Sequence, residues 1–292
     1  MRHIRTALYA PGINTKVMQK AMTTAVDAVI FDLEDSVPIA SKGQARELVR
    51  QAITELHHST AEVKPYVMVR TNSADTGLLE DDIRAMCVEG LGMLFIPKAE
   101  QISDISQASQ LIEQLEKDRK LSDIAIGLQI ETALGVYNCY PLIKASPRVQ
   151  LTSIGTAKDG DLQNDLACGW SVDGIEMLYA RSKVLLDSRA AGNVTPIDGV
   201  FANLNDDAGL LVESTLSAKL GYVGRTIIHP KQIQAVEQAY GIPQSTLDYY
   251  ANLIEEFEKA EKQGIAAIKV NDQLVDYAMY RQAKRIISIY QK

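Results

Sequence analysis

The sequence has few of the residues that form disulfide bonds or bind structural zinc. Its 292 residues include only 3 Cys, 4 His and 1 Trp. The cysteines, Cys87, Cys139 and Cys168, form neither a CxxC pair nor a Cys/His cluster. This disfavours a disulfide framework and a structural zinc site. We interpret the three cysteines as small buried apolar residues.

Net positive charge and long apolar segments are also lacking. The formal net charge is −7 and the pI is about 5.2, which gives no broad attraction to nucleic acid or to an anionic membrane. No segment approaches the roughly 20 apolar residues that a membrane-spanning helix needs, and the first residues show no signal-peptide pattern. We therefore expect a cytoplasmic protein without a nucleic-acid or membrane partner.

Several catalytic signatures are absent. Pro11-Gly12 stands where a dinucleotide-binding fold would carry GxGxxG after its first strand, which disfavours an open, doubly wound sheet. The sequence has no GxSxG elbow for a serine nucleophile and no HExxH pattern for zinc. Each absence disfavours one common class of enzyme.

The sequence does contain a regular alternation of short apolar runs and longer amphipathic segments, which predicts repeated βα units. Near-continuous apolar runs are typical of strands that are covered on both faces. Eight strands predict a closed (β/α)8 barrel over residues 1–233. The predicted strands are Thr6–Ala10, Ala28–Leu33, Tyr66–Arg70, Met93–Pro97, Ala125–Ile130, Gln150–Ile154, Gly199–Leu204 and Thr226–Ile228.

Apolar residues at three- and four-residue steps predict helices between these strands. The clearest cover Lys16–Val26, Lys42–Leu56, Ile102–Leu115 and Leu210–Leu220. The alternation stops after His229. Residues 234–292 are predicted to be helical, with one break around Gly264–Asp272. This segment is expected to be a lid or an oligomerisation element.

Polar residues follow directly after most of the predicted strands. In a (β/α)8 barrel the active site is built at the C-terminal ends of the strands, so these residues are the candidates for catalysis. They are Asp32-Leu33-Glu34-Asp35 after the second strand, Arg70-Thr71-Asn72 after the third, Lys98 and Glu100 after the fourth, Glu131-Thr132 after the fifth, and Lys158-Asp159-Gly160-Asp161 after the sixth.

Several carboxylates at one rim would repel each other unless a cation lay among them. Oxygen ligands alone favour a hard ion, so we predict Mg²⁺. Arg70 follows an apolar run, where a guanidinium either grips a substrate carboxylate or pairs with a neighbouring acid. Two alternatives stay open. The carboxylates could be solvated loop residues, and Lys98 or Lys158 could form a Schiff base.

In its motifs the whole chain resembles the citrate lyase β-subunit-like family, which includes malyl-CoA and citramalyl-CoA lyases. The motifs that carry the resemblance are Leu8-Tyr9-Ala10-Pro11-Gly12, Asp32-Leu33-Glu34-Asp35-Ser36-Val37 with Lys42 and Ala45-Arg46, Val69-Arg70-Thr71-Asn72, Ile96-Pro97-Lys98, Ile130-Glu131-Thr132-Ala133, Ser146-Pro147-Arg148-Val149, Ile197-Asp198-Gly199-Val200 and Ile228-His229-Pro230-Lys231-Gln232-Ile233.

The resemblance implies a homotrimer or homohexamer of barrels. It also implies that Mg²⁺ is held by Glu131 and by an aspartate one strand later, and that Arg70 contacts the substrate. The family's Gly-x-Glu-Asp-Leu turn is here the longer segment 155–162, which leaves Asp161 and Asp159 as candidates. The Asp-Leu-x-x-Asp-Leu pattern that follows favours Asp161.

Further residues receive roles from the same resemblance. Val275-Asp276 before an Arg- and Ala-rich helix is similar to the family's lid, which implies that Asp276 acts as a proton donor or acceptor on a neighbouring subunit. Glu34 and Asp35 are predicted to hold metal-bound waters or to orient Arg70. By position, the candidates for binding CoA phosphates, or else for simple solvent exposure, are Arg5, Lys16, Lys42 and Arg46.

The predicted function is that of a Mg²⁺-dependent carbon–carbon lyase. It would cleave or form a 3-hydroxyacyl-CoA such as citramalyl-CoA or malyl-CoA, with an acyl-CoA and a 2-oxo acid as the products. The alternatives are a citrate lyase β subunit that acts on an acyl-carrier-protein thioester, a CoA-independent pyruvate aldolase with the same barrel, and a non-enzymatic binding protein.

Overall fold

Eight parallel strands form one sheet that curls into a nearly closed barrel. The structure is a computed structural model that describes residues 3–192, 194–271 and 273–290. The sheet order is β7-β6-β5-β4-β3-β2-β1-β8. The strands are β1 Thr6–Pro11, β2 Ala28–Asp32, β3 Tyr66–Arg70, β4 Met93–Ile96, β5 Ala125–Ile130, β6 Val149–Ile154, β7 Thr195–Ile197 and β8 Arg225–Ile227.

Each strand pairs in parallel with its neighbour in the sequence, and β1 also pairs with β8. The two end strands, β7 and β8, are joined by a single bridge between Asp198 and Arg225. Helices follow the strands, as in the β-then-α repeat of this architecture. The predicted (β/α)8 barrel is confirmed.

The helices of the barrel are α1 Thr15–Met22, α2 Lys42–His58, α3 Leu79–Met86, α4 Ile102–Arg119, α5 Ala133–Tyr137, α6 Cys139–Lys144, α7 Asp161–Leu166, α8 Leu178–Ala191, α9 Asp207–Leu220 and α10 Ile233–Tyr240. The four helices predicted from periodicity are present with shifted ends. Asn14 and Asp206 accept hydrogen bonds from the first turns of α1 and α9, which is how a side-chain cap begins a helix. None of the helices within the described residues is long and apolar enough to cross a membrane.

Residues along the strands alternate between two apolar layers, because successive side chains point to opposite faces of a strand. In β2, Ala28 and Ile30 belong to the smaller cluster that fills the barrel. Val29 and Phe31 belong to the larger cluster between the sheet and the helices. This alternation decides which residues at the strand ends face the barrel opening.

The prediction of the seventh strand was wrong. The strand is Thr195–Ile197, and the predicted segment Gly199–Leu204 is irregular. The apolar run in Gly199–Leu204 suggested a strand there. The observed strand contains Pro196, which is unfavourable in a sheet because proline has no N–H to donate. The tertiary structure tolerates this proline in a three-residue strand at the seam where the barrel closes.

The chain divides into two compact units, residues 1–240 and 241–292. The second unit contains α11 Gln244–Glu261, strands β9 Ile268–Val270 and β10 Gln273–Val275, and α12 Tyr277–Tyr290. Phe257, Leu253 and Val275 form its apolar centre. The predicted break between two helices contains strand β9 of an antiparallel hairpin, whose second strand is β10. Asp272, the predicted end of that break, lies outside the described residues.

Candidate active site

A cavity of about 480 Å³ opens among the C-terminal ends of the barrel strands. Its lining includes residues that continue the inward-facing rows of the strands by steps of two. Asp32 follows Ala28 and Ile30, and Arg70 follows Met68. The cavity lining includes Tyr9, Asp32, Asp35, Arg70, Gln129, Glu131, Gly155, Asp161 and Gly199. Because every second side chain of a strand points into the barrel, these polar side chains lie at its opening.

Arg70 is held by acidic residues that follow strand β2. Its Nε and Nη2 atoms donate to the two carboxylate oxygens of Asp32, at 2.7 and 2.9 Å. Its Nη1 atom lies 2.9 Å from Glu34 Oε2 and 3.8 Å from Asp35 Oδ2, and its guanidinium stacks 4.9 Å from the ring centre of Tyr9. A bidentate pair fixes the plane of a guanidinium, so Arg70 enters the cavity in a defined orientation.

The two acids beside Arg70 respond differently to burial. Burial pushes the pKa of Asp32 upward, but the Arg70 guanidinium outweighs this effect and lowers it. Burial dominates for Glu34, so its pKa is raised even though Arg70 opposes the shift. Asp32 is therefore the ionised partner of Arg70, whereas burial disfavours the ionised form of Glu34.

Glu131 is almost fully buried at the floor of the cavity. Its Oε1 accepts from the backbone N–H of Lys98 at 3.0 Å, and its Oε2 accepts from the Gln129 side chain at 2.5 Å. Gln129 in turn accepts from the Tyr9 hydroxyl. Burial, and secondly the nearby Glu34 carboxylate, raise the pKa of Glu131 to about 7. A nearby cation would relieve that cost and keep Glu131 ionised.

Glycine is required where the next strand passes Glu131. A Cβ atom at Gly155, directly after β6, would lie 2.6 Å from the Glu131 Cβ. The turn that begins at Gly155 is also tied to the seventh strand, because Thr156 donates to Asp198 at 3.2 Å. The close packing at Gly155 and this hydrogen bond set the path of the chain toward Asp161.

The structure separates the two aspartates of this turn. Asp161 is the first residue of α7, lines the cavity and lies 3.3 Å from Lys98 Nζ. Asp159 is exposed with a φ of 59° and is not among the cavity-lining residues. Of the two, only Asp161 therefore shares the cavity with Glu131.

Lys98 contacts the acidic groups through its ammonium. Its Nζ lies 3.2 Å from Glu34 Oε1 as well as near Asp161. Burial lowers the pKa of Lys98, but the Glu34 carboxylate outweighs burial and raises it above its usual value. A Schiff base requires a neutral amine, so this environment disfavours Lys98 as a nucleophile.

The four cations proposed for CoA phosphates are scattered. Arg5 precedes β1, at the opposite end of the barrel from the cavity, and lies 3.8 Å from Asp27. Lys42 is buried and donates to the backbone oxygens of Leu33 and Glu34. Arg46 pairs with Asp82 at 2.6 Å. Only Lys16 is exposed, in the first turn of α1.

Asp276 lies in the second compact unit. It directly precedes α12, and its carboxylate accepts from the backbone N–H groups of Ala278 and Met279 at 2.8 and 3.2 Å. This is the geometry of a helix N-cap. Asp276 is exposed within its unit, so capping leaves its carboxylate accessible to solvent.

Sequence reasoning did not single out Tyr9 and Gln129, and it treated Asp32 only as part of an acidic run. All three face the cavity. The signal that finds them is the two-residue period within each strand, once Ala7, Ile30 and Ala125 are known to face inward. The apolar runs gave no indication of which face that was.

The donor set fits a hard divalent cation only in part. Glu131 and Asp161 offer carboxylate oxygens to one cavity, which is the ligand type that Mg²⁺ prefers. Among the described residues, no group of three or more His, Cys, Asp or Glu residues is arranged to hold a metal ion. Mg²⁺ commonly keeps several waters and uses one or two carboxylates together with substrate oxygens, so two protein ligands are sufficient for such a site.

Comparison with known proteins agrees with this geometry. The sequence model of the HpcH/HpaI aldolase/citrate lyase family matches residues 5–230, and that of the C-C bond lyases of the TIM-barrel fold matches residues 181–289. The citrate lyase subunit beta of Leuconostoc mesenteroides subsp. cremoris is 34% identical, with 98% of this chain and 92% of that protein covered. Human mitochondrial citramalyl-CoA lyase is 27% identical, with 98% and 85% covered.

A solved structure gives the same result. The citrate lyase beta subunit of Mycobacterium tuberculosis, complexed with oxaloacetate and magnesium, is 26% identical and superposes with a TM-score of 0.66 over 82% of this chain and 98% of that one. The matched family model spans most of the chain, including every strand of the barrel. The chain belongs to the HpcH/HpaI aldolase/citrate lyase family and is a carbon–carbon lyase.

Proposed function

We propose that this protein is a Mg²⁺-dependent lyase that cleaves, or forms in reverse, a 3-hydroxyacyl-CoA such as citramalyl-CoA or malyl-CoA. The products of cleavage are an acyl-CoA and a 2-oxo acid. One observation carries the proposal: Glu131, Asp161 and Arg70 line a single cavity at the C-terminal end of the barrel. The magnesium and oxaloacetate bound by the M. tuberculosis relative support the choice of cation and of a 2-oxo acid product.

The cleaved bond joins the thioester's α carbon to the carbon that bears the hydroxyl. The hydroxyl loses its proton, its carbon becomes the carbonyl of the 2-oxo acid, and the α carbon leaves with the bonding electrons and then takes up a proton. When bound, Mg²⁺ supplies Lewis-acid stabilisation of charge on substrate oxygens. Glu131 and Asp161 are its proposed ligands.

Arg70 is proposed to stabilise the charge that develops on the thioester oxygen. Its bidentate pair with Asp32 uses two of its five N–H groups, and the guanidinium lines the cavity. A donor that is oriented before the reaction needs no reorganisation as charge develops. Glu34 and Asp35 flank the same guanidinium, which supports their predicted role in orienting it.

The proposal is tested by incubating the purified protein and Mg²⁺ with malyl-CoA, citramalyl-CoA and citryl-CoA, and measuring 2-oxo acid release. We expect release from at least one ester, its loss with EDTA, and its recovery when Mg²⁺ is restored. Release that persists in EDTA would contradict the proposed requirement for Mg²⁺. Cleavage of free 4-hydroxy-2-oxo acids in place of every thioester would favour the CoA-independent aldolase.

A second candidate function is that of a citrate lyase β subunit acting on an acyl-carrier-protein thioester. Two observations favour it. Arg5, Lys42 and Arg46 are engaged by protein groups, which leaves fewer cations for CoA phosphates. The Leuconostoc relative is named as a citrate lyase beta subunit. Presenting the same acyl group on CoA and on an acyl carrier protein, and comparing kcat/KM, separates the two functions.

We further propose that Asp276 exchanges a proton with the α carbon and acts on a neighbouring subunit of a homotrimer or homohexamer. Asp276→Asn should abolish turnover while preserving the helix cap, because asparagine caps helices as well as aspartate does. Mixing this variant with an equal amount of inactive Glu131→Gln subunits should restore about a quarter of wild-type activity after subunit exchange. In a random mixture, one interface in four pairs an intact lid with an intact barrel.

The mixing experiment requires that both variants form oligomers of wild-type size, as measured by size-exclusion chromatography. Labelled subunits must also be shown to exchange. If activity stays absent after verified exchange, the proposal that two subunits share an active site is wrong. If Asp276→Asn alone is fully active, the residue only caps α12.

A further inference from the structure

Charged side chains of alternating sign form a continuous series across the acidic side of the cavity. Asp32 binds Arg70, Arg70 Nη1 lies 2.9 Å from Glu34, Glu34 lies 3.2 Å from Lys98 Nζ, and Lys98 Nζ lies 3.3 Å from Asp161. The series connects the proposed substrate arginine to a proposed metal ligand. Lys98 is its last cation, and among the described residues it alone forms an ion pair with Asp161.

Lys98 also contacts the other proposed ligand. Its backbone adopts a left-handed conformation with a φ of 46°, which is unfavourable for a residue with a side chain. In this conformation its N–H donates to Glu131 Oε1 at 3.0 Å. One residue therefore contacts Glu131 through its backbone and Asp161 through its ammonium.

The charges around Lys98 are unequal in number. Five carboxylates, those of Asp32, Glu34, Asp35, Glu131 and Asp161, lie near only three cations, Arg70, Lys98 and the buried Lys42 behind the acidic segment. Arg70 is already paired with Asp32 through two hydrogen bonds. Arg70 also attracts the Glu131 carboxylate, but Lys98 is the cation that pairs with Asp161, on the side where a divalent ion would bind.

We propose that the Lys98 ammonium is an internal counter-ion that competes with the divalent cation for the carboxylates of Asp161 and Glu34. This proposal rests on the proposed function. Two cations near the same carboxylate repel each other, so Lys98 weakens binding of the bare metal ion. An anionic 2-oxo acid in the cavity offsets this repulsion. Lys98 thereby favours binding of the metal and the acid together over binding of the metal alone.

The test measures Mn²⁺ binding by electron paramagnetic resonance, with and without saturating pyruvate. Lys98→Met removes the charge and retains the length of the side chain, and Lys98→Arg retains the charge. Lys158→Met is the matched control, because it removes a lysine charge from the neighbouring turn. Lys158 is exposed, does not line the cavity, and forms no ion pair with any described residue.

We expect Lys98→Met to bind Mn²⁺ alone roughly threefold or more tightly than the wild-type protein. The gain should shrink in pyruvate, and the Lys98→Arg and Lys158→Met proteins should bind Mn²⁺ as the wild type does. If Lys98→Met does not fold, as judged by circular dichroism, Lys98→Gln replaces it.

Two outcomes would overturn the inference. Unchanged or weaker Mn²⁺ binding by the neutral variant would show that Lys98 does not compete with the metal. An equal gain in Lys158→Met would show that only the overall charge matters. Both outcomes leave the proposed function intact, whereas a wild-type protein that binds no Mn²⁺ would contradict the metal site itself and the inference with it.

Discussion

Two groups of charged side chains in this barrel differ in balance and in access. The first surrounds the cavity and contains more acids than bases. The second lies between strands β7 and β8 and the helices that cover them. It contains two arginines, Arg181 and Arg225, and two acids, Asp198 and Glu213, none of them more than 2% exposed.

The sealed group is internally paired. Arg181 pairs with Asp198 at 3.4 Å and also with Glu213, while Arg225 lies 3.2 Å from Glu213 and donates to the Gly199 oxygen. Its equal numbers of cations and anions need no external ion. It lies where the sheet is joined by a single bridge, and it connects the two end strands of the barrel through side chains.

The difference between the groups separates structural from functional charge. Buried ions need partners, and each of the four ions in the sealed group forms an ion pair with another member of the group. The cavity group leaves acids in excess at an opening, so its charge can be completed only by a ligand. An unbalanced and accessible group of charges is therefore the better indicator of a functional site.

The largest effect on activity is expected for Glu131→Gln. It removes the charge of a proposed metal ligand with almost no change in volume, so we expect turnover to fall at least about 100-fold. The free energy of unfolding should change little, because relief of a carboxylate that burial disfavours offsets the loss of one hydrogen-bond acceptor. Steady-state kinetics and urea unfolding measure the two effects. Wild-type activity at saturating Mg²⁺ would remove Glu131 from the metal site.

The matched change in the sealed group is Glu213→Gln. It leaves Arg181 and Arg225 with one acid between them, and breaking a buried ion pair costs about 3–5 kcal/mol of stability. We expect a loss of that size in urea unfolding and no specific loss of Mn²⁺ affinity in the protein that remains folded. A variant with wild-type stability but weakened metal binding would contradict the assignment of the sealed group to structure and of the cavity group to function.

A smaller effect is expected within the turn after β6. Asp161→Asn should weaken Mn²⁺ binding by about 10-fold or more, because it neutralises a carboxylate that lines the cavity. Asp159→Asn should change it less than about twofold, because Asp159 does not line the cavity. Titration of both variants in parallel provides the control. The reverse order would mean that the alignment through this turn is wrong.

The last effect concerns pH. Metal binding requires an ionised carboxylate, and the pKa of Glu131 is raised to about 7. Mn²⁺ affinity should therefore rise by up to about tenfold per pH unit below 7 and level off above it. Without metal, the same shift makes the folded protein less stable as pH rises from about 4.5 to about 7, because the folded state binds the proton more tightly.

The Asp198 carboxylate should not contribute to this pH dependence. Burial pushes its pKa upward, but Arg181 and Arg225 outweigh burial and lower it. The profile is measured by Mn²⁺ titration between pH 5.5 and 8 on wild type and Glu131→Gln. A flat wild-type profile would contradict the raised pKa, and a persistent slope in the variant would assign it to another group.

The sequence predicted seven of the eight strands close to their observed positions, because each is an apolar run between turn residues. It missed β7, where Pro196 interrupts a three-residue strand, and the hairpin of the second unit, whose strands have three residues each. Tertiary pairing decides such elements.

The candidate site divides in the same way. The sequence by itself determined the barrel, and with it the end where Arg70, Glu131 and the acids after β2 had to meet, because all parallel strands end at the same rim. Only the tertiary structure decided that Asp161 rather than Asp159 lines the cavity and that Lys98 lies between Glu34 and Asp161. Strand periodicity fixes positions along one segment, whereas contacts between side chains from different strands depend on how the barrel closes.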